Sequence, residues 1–186
     1  MSPGGGKEPG RLIAVSGAPG SGKTAVLERL RSEVTVIPEP ARAILAEQRS
    51  SRGRGTWDQD IALFVRLLLE RAIDDHERAT ERGGTVLFDR GAPDCVVYAE
   101  RAGLDVTPSL EASASFRYEN EILFFPPWRE IYTTDDERRM SFEDSVAFGE
   151  DLRNVYLRCG YTIVDAPRGS VLERVAFVRR MLDLPG

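Results

Sequence analysis

The sequence is poor in cysteine and histidine. Its 186 residues include two cysteines, Cys95 and Cys159, and one histidine, His76. The cysteines lie far apart and form no Cys-x-x-Cys pattern, which argues against a disulfide framework or a zinc site. A single histidine allows no histidine-based metal site or catalytic triad. The acidic residues that flank His76 predict an exposed, inert side chain.

Positive charge and long apolar runs are also lacking. The formal net charge is −5, so the basic excess that is typical of general nucleic-acid binders is missing. No apolar stretch approaches the roughly 18–20 residues that cross a membrane, and residues 1–10 lack the apolar segment of a signal peptide. We expect no nucleic-acid or membrane partner, a cytoplasmic location by default, and a disordered tail over residues 1–10.

The rest of the chain predicts a single domain, residues 11–186, with alternating strands and helices. Apolar residues make up 41% of the chain and charged residues 30%, as in ordinary globular proteins. Short apolar runs that end near glycine or proline predict five strands: Arg11–Ser16, Val34–Ile37, Thr85–Phe88, Ile122–Phe125 and Tyr161–Val164. Seven helices are predicted: Lys23–Arg31, Ala41–Gln48, Trp57–Thr80, Pro93–Arg101, Pro108–Phe116, Ser141–Cys159 and Ser170–Leu182. This alternation predicts an α/β fold, a three-layer α/β/α sandwich on a mainly parallel five-stranded sheet.

A glycine-rich segment after the first strand carries the strongest chemical signal. Residues 17–24, Gly-Ala-Pro-Gly-Ser-Gly-Lys-Thr, match the P-loop pattern G-x-x-x-x-G-K-[ST] in full. The backbone N–H groups of such a loop surround phosphate oxygens, and the following helix adds partial positive charge. We therefore expect ATP to bind here together with Mg²⁺, whose ligands would include the Thr24 hydroxyl. The predicted nucleotide-binding residues are Gly17, Gly20, Ser21, Gly22, Lys23 and Thr24.

The residues after the third strand separate the classes of P-loop protein. The guanine-reading Asn-Lys-x-Asp of GTPases does not occur. Motor and AAA-type ATPases usually carry a second acidic residue after the Walker B aspartate, where it positions the attacking water. Here Asp89 is followed by Arg90. This disfavours hydrolysis and favours phosphoryl transfer to a bound acceptor, with Asp89 as a metal ligand opposite Thr24 or, alternatively, as the base.

Four segments give the chain a resemblance to a known family. They are the P-loop, residues 38–42 (Pro-Glu-Pro-Ala-Arg), residues 88–94 (Phe-Asp-Arg-Gly-Ala-Pro-Asp), and Ile131-Tyr132 with Asp135, Arg138 and Arg139. The chain resembles the P-loop kinases of the nucleoside and nucleoside-monophosphate kinase type. Within them it is similar to a small AAA-like group that includes the ribosylnicotinamide kinase domain of a bacterial NAD-metabolism regulator. The P-loop is specific to the superfamily, and the other three segments gain weight from their order and spacing.

The resemblance implies an acceptor site beside the P-loop. Glu39 follows the second strand, at the sheet edge where open α/β sheets bind ligands. It is the candidate to orient or deprotonate an acceptor hydroxyl, although a surface carboxylate between two prolines is the alternative. Arg90 would contact phosphate or carboxylate groups, and Arg42 would pair with Glu39 or hold an anion. Asp94 and Tyr98 lie one helical turn apart and would bind acceptor hydroxyls, unless Asp94 only complements the helix dipole.

The resemblance also implies a small lid at about residues 127–140. A closing lid supplies arginines to the transferring phosphoryl group and excludes water. Arg138 and Arg139 are the predicted catalytic arginines, and Arg129 is a third candidate. Their alternative role is in ion pairs with the acidic residues 135–137.

The sequence thus favours a P-loop small-molecule kinase with Lys23, Glu39, Asp89, Arg138 and Arg139 as catalytic residues. The γ-phosphate of ATP would pass to a hydroxyl or a phosphate of a small acceptor, nucleoside-like or a specialised metabolite. A regulatory ATPase that acts as a switch through a protein partner is the main alternative, and a module that binds ATP without turnover is another. The oligomeric state stays open, with a homodimer as one option.

Overall fold

The computed structural model describes residues 10–133 and 140–184. The strands are β1 Arg11–Gly17, β2 Thr35–Ile37, β3 Thr85–Asp89, β4 Glu121–Phe125 and β5 Thr162–Asp165. The helices are α1 Lys23–Leu30, α2 Pro40–Ser51, α3 Ile61–Arg82, α4 Ala92–Arg101, α5 Thr107–Ser115, α6 Phe142–Arg158 and α7 Val171–Met181. A short 3-10 helix, Arg129–Ile131, follows β4.

The five strands form one parallel sheet in the order β2-β3-β1-β4-β5. This confirms the predicted fold class. From β1 the chain first builds the side of β3 and β2 and then crosses to build the side of β4 and β5. The order therefore reverses beside β1, and open α/β sheets bind ligands at the carboxyl ends of the strands at such a point.

Helices cover both faces of the sheet and bury its central strands. One face packs against α1 and α7 in a core that contains Val26, Leu30 and Val178. The other face packs against α4 and α6, where Val96 and Leu152 are fully buried. Strands buried on both faces read as continuous apolar runs, which is why the sequence located them correctly.

Helices α2 and α3 differ from the prediction by more than one residue. Helix α3 begins at Ile61 rather than Trp57 because the Asp60 side chain accepts a hydrogen bond from the Leu63 N–H, 3.0 Å away, and caps the first turn. Helix α2 begins at Pro40, which occupies the first helical position without loss of a hydrogen bond, and continues to Ser51.

The prediction that His76 is exposed and inert is wrong. The His76 side chain is buried, at 8% exposure, and its Nε2 lies 2.8 Å from the Arg117 carbonyl oxygen. Its ring contacts the rings of Phe88, Phe116 and Tyr118 at centroid distances of 5.3–6.1 Å. His76 therefore belongs to the core beneath α3.

The described part of the chain contains neither a disulfide nor a cluster of side chains placed to hold a metal ion. Cys95 and Cys159 are free thiols there. Over residues 10–133 and 140–184, no group of three or more His, Cys, Asp or Glu side chains is placed to hold a metal ion. None of the helices within those residues combines the length and the apolar character needed to cross a membrane.

Candidate active site

The phosphate loop runs from the end of β1 to the start of α1. Gly17, Gly20 and Gly22 have φ values of +145°, +76° and +76°, in the region that side chains other than glycine rarely adopt. At Gly17 a Cβ atom would lie 2.2 Å from the carbonyl oxygen of Phe125 in β4. Only glycine therefore fits at the point where the loop leaves the sheet, and the backbone can curl into the head of α1.

Two side chains from distant elements hold carbonyl groups of this loop. Ser145 Oγ, on α6, donates to the Pro19 carbonyl at 2.7 Å. Arg174 Nη2, on α7, donates to the Ser21 carbonyl at 2.6 Å. Sequence reasoning missed both residues because they lie 126 and 153 residues along the chain from their partners and carry no local signal.

An ion pair joins the head of α1 to the end of β3. Lys23 Nζ lies 2.8 Å from Asp89 Oδ1, and both side chains are 6% exposed. The exposed Thr24 follows Lys23 and lines, with Asp89 and Glu39, a cavity of about 240 Å³. A hydroxyl and a carboxylate on one cavity wall are oxygen ligands of the kind that Mg²⁺ prefers, so the residues present fit the predicted metal.

A second ion pair joins the ends of β2 and β3. Arg90 Nε donates to Glu39 Oε1 at 2.8 Å. Burial by itself would raise the pKa of Glu39, but the positive charges of Arg90 and Lys23 outweigh that effect and lower the pKa from 4.5 to about 2. Glu39 is therefore ionised throughout the neutral range, and it is a weak base.

Arg90 is itself held in an unusual conformation. Its φ is +78°, which costs about 1–3 kcal/mol for a residue other than glycine unless surrounding contacts compensate. The side chain is 7% exposed. Burial alone would lower the pKa of Arg90, but the negative charges of Glu39 and Asp94 raise it. The strained backbone thus delivers a permanent cation between two carboxylates.

Asp94 is the centre of a buried hydrogen-bond network. Its Oδ1 accepts from Ser16 Oγ and Arg90 Nη1, each at 2.8 Å. Its Oδ2 accepts from the Gly91 N–H at 3.0 Å and from Tyr156 Oη at 2.7 Å. The predicted contact between Asp94 and an acceptor stays a prediction, and it requires one of these four donors to be exchanged.

The two remaining predicted acceptor residues flank Glu39 and Arg90. Arg42 Nε lies 3.7 Å from Glu39 Oε2, and 56% of its side chain is exposed. Tyr98 is partly buried on α4 and lines, with Arg90 and Asp94, a narrower cleft beneath α2. The structure thus places Asp94 and Tyr98 on one cleft wall, as their spacing on one helix predicts.

Tyr132 forms the base of the predicted lid. Its ring packs on the phosphate loop so closely that a Cβ atom at Gly20 would lie 2.5 Å from the ring. Its hydroxyl donates to the Met140 carbonyl at 2.6 Å and lies 3.2 Å from the Ser141 carbonyl. Tyr132 therefore joins the two ends of the segment 133–140 above the loop.

The predicted lid arginines differ in what the structure says of them. Arg138 and Arg139 lie outside the described residues, so their catalytic role stays a prediction. Arg129 forms an ion pair with Glu143 and lies over the Phe142 ring, 4.2 Å from its centre. Arg129 is therefore held at the start of α6 in the present conformation.

Most of the sequence matches a known protein family. The sequence matches the AAA domain family over residues 12–174. The chain belongs to the AAA domain family. None of the curated proteins is similar to this sequence at a significant level.

Solved structures resemble this AAA domain in fold. Thymidylate kinase from Candida albicans matches with a TM-score of 0.57 and 15% identity, over 94% of this chain and 92% of that one. Deoxyadenosine kinase from M. mycoides, which has the products dCMP and dCDP bound, matches with 0.62 and 13%, over 92% and 98%. NadR protein in complex with NR matches with 0.62 and 20%, over 95% of this chain but 52% of that chain, so the domain spans about half of NadR. The fold is that of P-loop kinases, which confirms the resemblance drawn from the four sequence segments.

The AAA domain brings most of the predicted site residues together. Lys23, Thr24, Glu39, Asp89 and Arg90 meet where β1, β2 and β3 end at the reversal point of the sheet. Two largely buried ion pairs, Lys23–Asp89 and Glu39–Arg90, link the head of α1 and the end of β2 to the end of β3. The Thr24 hydroxyl and the Glu39 and Asp89 carboxylates line one cavity, and Lys23 contacts Asp89.

Proposed function

We propose that the protein is an ATP- and Mg²⁺-dependent phosphotransferase that moves the γ-phosphate to a hydroxyl group of a small acceptor. The observation that carries the proposal is the ion-pair network Lys23–Asp89 and Glu39–Arg90–Asp94 at the mouth of the phosphate loop. A P-loop alone would fit any nucleotide-binding protein. The network adds an anchored carboxylate beside the place where the phosphates would lie.

The donor side would work by positioning and charge. The loop N–H groups and Lys23 would bind the phosphates, and Thr24 and Asp89 would hold Mg²⁺, which would supply positive charge to the phosphates. In this proposal Lys23 exchanges its contact with Asp89 for phosphate, which releases the Asp89 carboxylate for the metal. The contact of Lys23 with Asp89, and the position of both Thr24 and Asp89 on the cavity lining, support this division of roles.

The acceptor side would work by orientation. Phosphoryl transfer passes through a loose transition state that needs little help from a strong base. A Glu39 carboxylate with a pKa of about 2 suits that need because it accepts a hydrogen bond from the acceptor hydroxyl and aims its oxygen at the phosphorus. Arg90, which is itself held by Asp94, fixes the position of the Glu39 carboxylate.

The charges around the cavity favour a hydroxyl acceptor over a phosphate acceptor. Its lining includes three acidic residues and two arginines, with no aromatic ring. Among the residues that the structure describes, both arginines are committed, Arg31 to Glu28 at 2.8 Å and Arg42 to Glu39. Because both lining arginines are already paired, neither is free to hold a monophosphate, whereas a neutral, hydroxylated molecule needs no such cation.

The decisive experiment measures ADP and product together. Purified protein is incubated with ATP, Mg²⁺ and a panel of nucleosides, nucleotides and other hydroxylated metabolites. We expect one acceptor class to accelerate ADP formation and to gain the mass of one HPO₃ group. The variant Glu39→Gln should lower that rate by about 10²-fold, as expected when the acceptor is misplaced, while ATP binding is retained. Glu47→Gln, which removes an exposed α2 carboxylate paired with Arg71, is the matched control.

A regulatory ATPase is the second candidate, and membership of the AAA domain family supports it. Its signature is tight ATP binding with slow phosphate release that no acceptor accelerates. That result, together with normal phosphate release by Glu39→Gln, would overturn the kinase proposal and direct attention to protein partners. The position of Arg90 after Asp89, turned towards Glu39 and Asp94, favours the kinase.

A further inference from the structure

Two peptide units of the phosphate loop are held through their carbonyl groups. Ser145 holds the Pro19 carbonyl, and Arg174 holds the Ser21 carbonyl. The peptide bond is planar and trans, so the N–H of each unit points opposite to its carbonyl. The N–H groups in question are those of Gly20 and Gly22. A side chain that fixes the carbonyl therefore fixes the direction of the donor.

Glycine makes this support necessary. Gly20 and Gly22 both have φ of +76°, and glycine loses more conformational freedom on folding than any other residue. Without external contacts, the two peptide planes would reorient at little cost. Helix α6 approaches the loop closely as well, since a Cβ atom at Gly149 would lie 3.1 Å from Ala18 Cβ.

Arg174 also brings an unbalanced charge. Its side chain is 3% exposed, and its Nε has no hydrogen-bond partner. No carboxylate within residues 10–133 and 140–184 pairs with it. Its guanidinium carbon lies instead 4.7 Å from the Phe125 ring centre and 5.7 Å from that of Trp128. Burial of this kind lowers the pKa of Arg174 and is costly for an uncompensated cation.

The surroundings of Arg174 call for an anion. The first turn of α1 contains no acidic residue to neutralise the positive end of the helix. Arg174 lies against that end, because its Nη1 would be 2.7 Å from a Cβ atom at Gly22. The helix terminus and the guanidinium therefore add their positive potential at the same loop.

We propose that Ser145 and Arg174 are positioning residues that aim the Gly20 and Gly22 N–H groups at the phosphates of the nucleotide. Arg174 in addition supplies positive charge that no carboxylate in residues 10–133 and 140–184 balances and that a bound polyphosphate would balance. The inference rests on the proposed nucleotide binding, but it needs no acceptor and no turnover. It predicts an effect on the polyphosphate part of the ligand and none on the nucleoside part.

The test is calorimetric titration of the full chain with three probes: ATP, inorganic tripolyphosphate and adenosine. Arg174→Met keeps the length of the side chain and removes its charge. It should weaken ATP and tripolyphosphate binding by about tenfold or more, as for lost hydrogen bonds to charged groups, with adenosine binding unchanged. Arg174→Lys should recover part of the loss. Ser145→Ala should weaken the same two probes by about 2–10-fold.

Arg117→Ala is the matched control. Arg117 Nη1 also donates to a backbone carbonyl, that of Cys159 at 2.6 Å, and its guanidinium lies over the Tyr161 ring. Arg117 precedes β4, so it lies at the amino ends of the strands, whereas the phosphate loop lies at their carboxyl ends. Its substitution should leave the binding of all three probes unchanged. If Arg174→Met does not fold, Ser145→Ala decides alone.

The outcomes separate this inference from the proposed function. Wild-type affinity for tripolyphosphate in Arg174→Met and Ser145→Ala would overturn the inference and leave the kinase proposal standing. An equal loss of affinity for adenosine would also overturn the inference, because it would indicate a general distortion of the site. Equal affinities of Arg174→Met and Arg174→Lys for tripolyphosphate would overturn it for the same reason. A wild-type protein that binds neither ATP nor tripolyphosphate would remove the proposed function itself, and the inference with it.

Discussion

Arg90 and Arg174 are both buried arginines next to the phosphate loop, yet their environments are opposite. Arg90 lies between two carboxylates, Glu39 and Asp94, each 2.8 Å away. Arg174 has a backbone carbonyl and two aromatic rings and, in the part of the chain that the structure describes, no acidic partner. One charge is balanced by the protein and the other is left for a ligand. Arg90 therefore stabilises the site in the free protein, whereas Arg174 is placed to interact with a bound ligand.

The largest effect is expected on the balanced side. Arg90→Met would leave the buried Asp94 carboxylate without a cation and Glu39 with only Lys23 and Arg42 nearby, so the free energy of unfolding should fall by about 3–5 kcal/mol. Chemical denaturation at neutral pH measures it. A loss below about 1 kcal/mol would mean that the pair contributes no more than a surface salt bridge, and the contrast with Arg174 would disappear.

A pH effect should come next. The folded-state pKa of Glu39 is lowered from 4.5 to about 2, so the folded state binds this proton less readily than the unfolded state. The stability that Glu39 contributes is complete above about pH 4.5 and is lost as the pH falls towards 2. Unfolding free energies measured between pH 7 and 3 should decline less steeply in Glu39→Gln than in the wild type. Parallel curves would contradict the lowered pKa.

A smaller effect is expected at the back of the network. Tyr156→Phe removes one of the four donors to Asp94 and should destabilise the protein by about 1–3 kcal/mol, because the bond is to a charged group. Tyr118→Phe is the control, since the Tyr118 hydroxyl accepts from the Ala92 N–H at 3.3 Å, a neutral bond. Equal losses in denaturation experiments would show that the charge of Asp94 adds nothing.

The smallest effect on the free protein is expected on the unbalanced side. Arg174→Met removes a hydrogen bond but also a buried cation without a partner, and the two changes oppose each other. The free energy of unfolding without ligand should change by less than about 1 kcal/mol. A loss as large as that of Arg90→Met would make Arg174 part of the structural framework and erase the comparison.

The sequence predicts features formed by neighbouring residues better than contacts between residues that are far apart along the chain. The five strands are local patterns, and the sequence located each of them to within one residue at either end. His76 was missed although its position continues the buried α3 series Phe64, Leu68 and Ala72 at spacings of four. Its acidic neighbours suggested an exposed side chain, but helical period decides burial. The spacing of His76 from Ala72 therefore already indicated a buried side chain.

Other contacts had no local signal. Glu39 and Arg90 are 51 residues apart, and only the packing of β2 beside β3 brings them together. Ser145 and Arg174 sit on helices whose patterns reveal a buried face but not which loop that face meets. The α3 start was misplaced because the capping role of Asp60 depends on the geometry of the turn before it.

Tyr132 gives the fold a modular character. Its hydroxyl fastens the chain after β4 to the carbonyls of Met140 and Ser141, while its ring rests on Gly20. These contacts join Tyr132 to Met140 and Ser141 whatever the length of the chain between them. Doubling the length of a loop costs only about 0.6 kcal/mol of closure entropy. A longer connection between residues 133 and 140 would therefore leave the contacts of Tyr132 in place at little cost in stability.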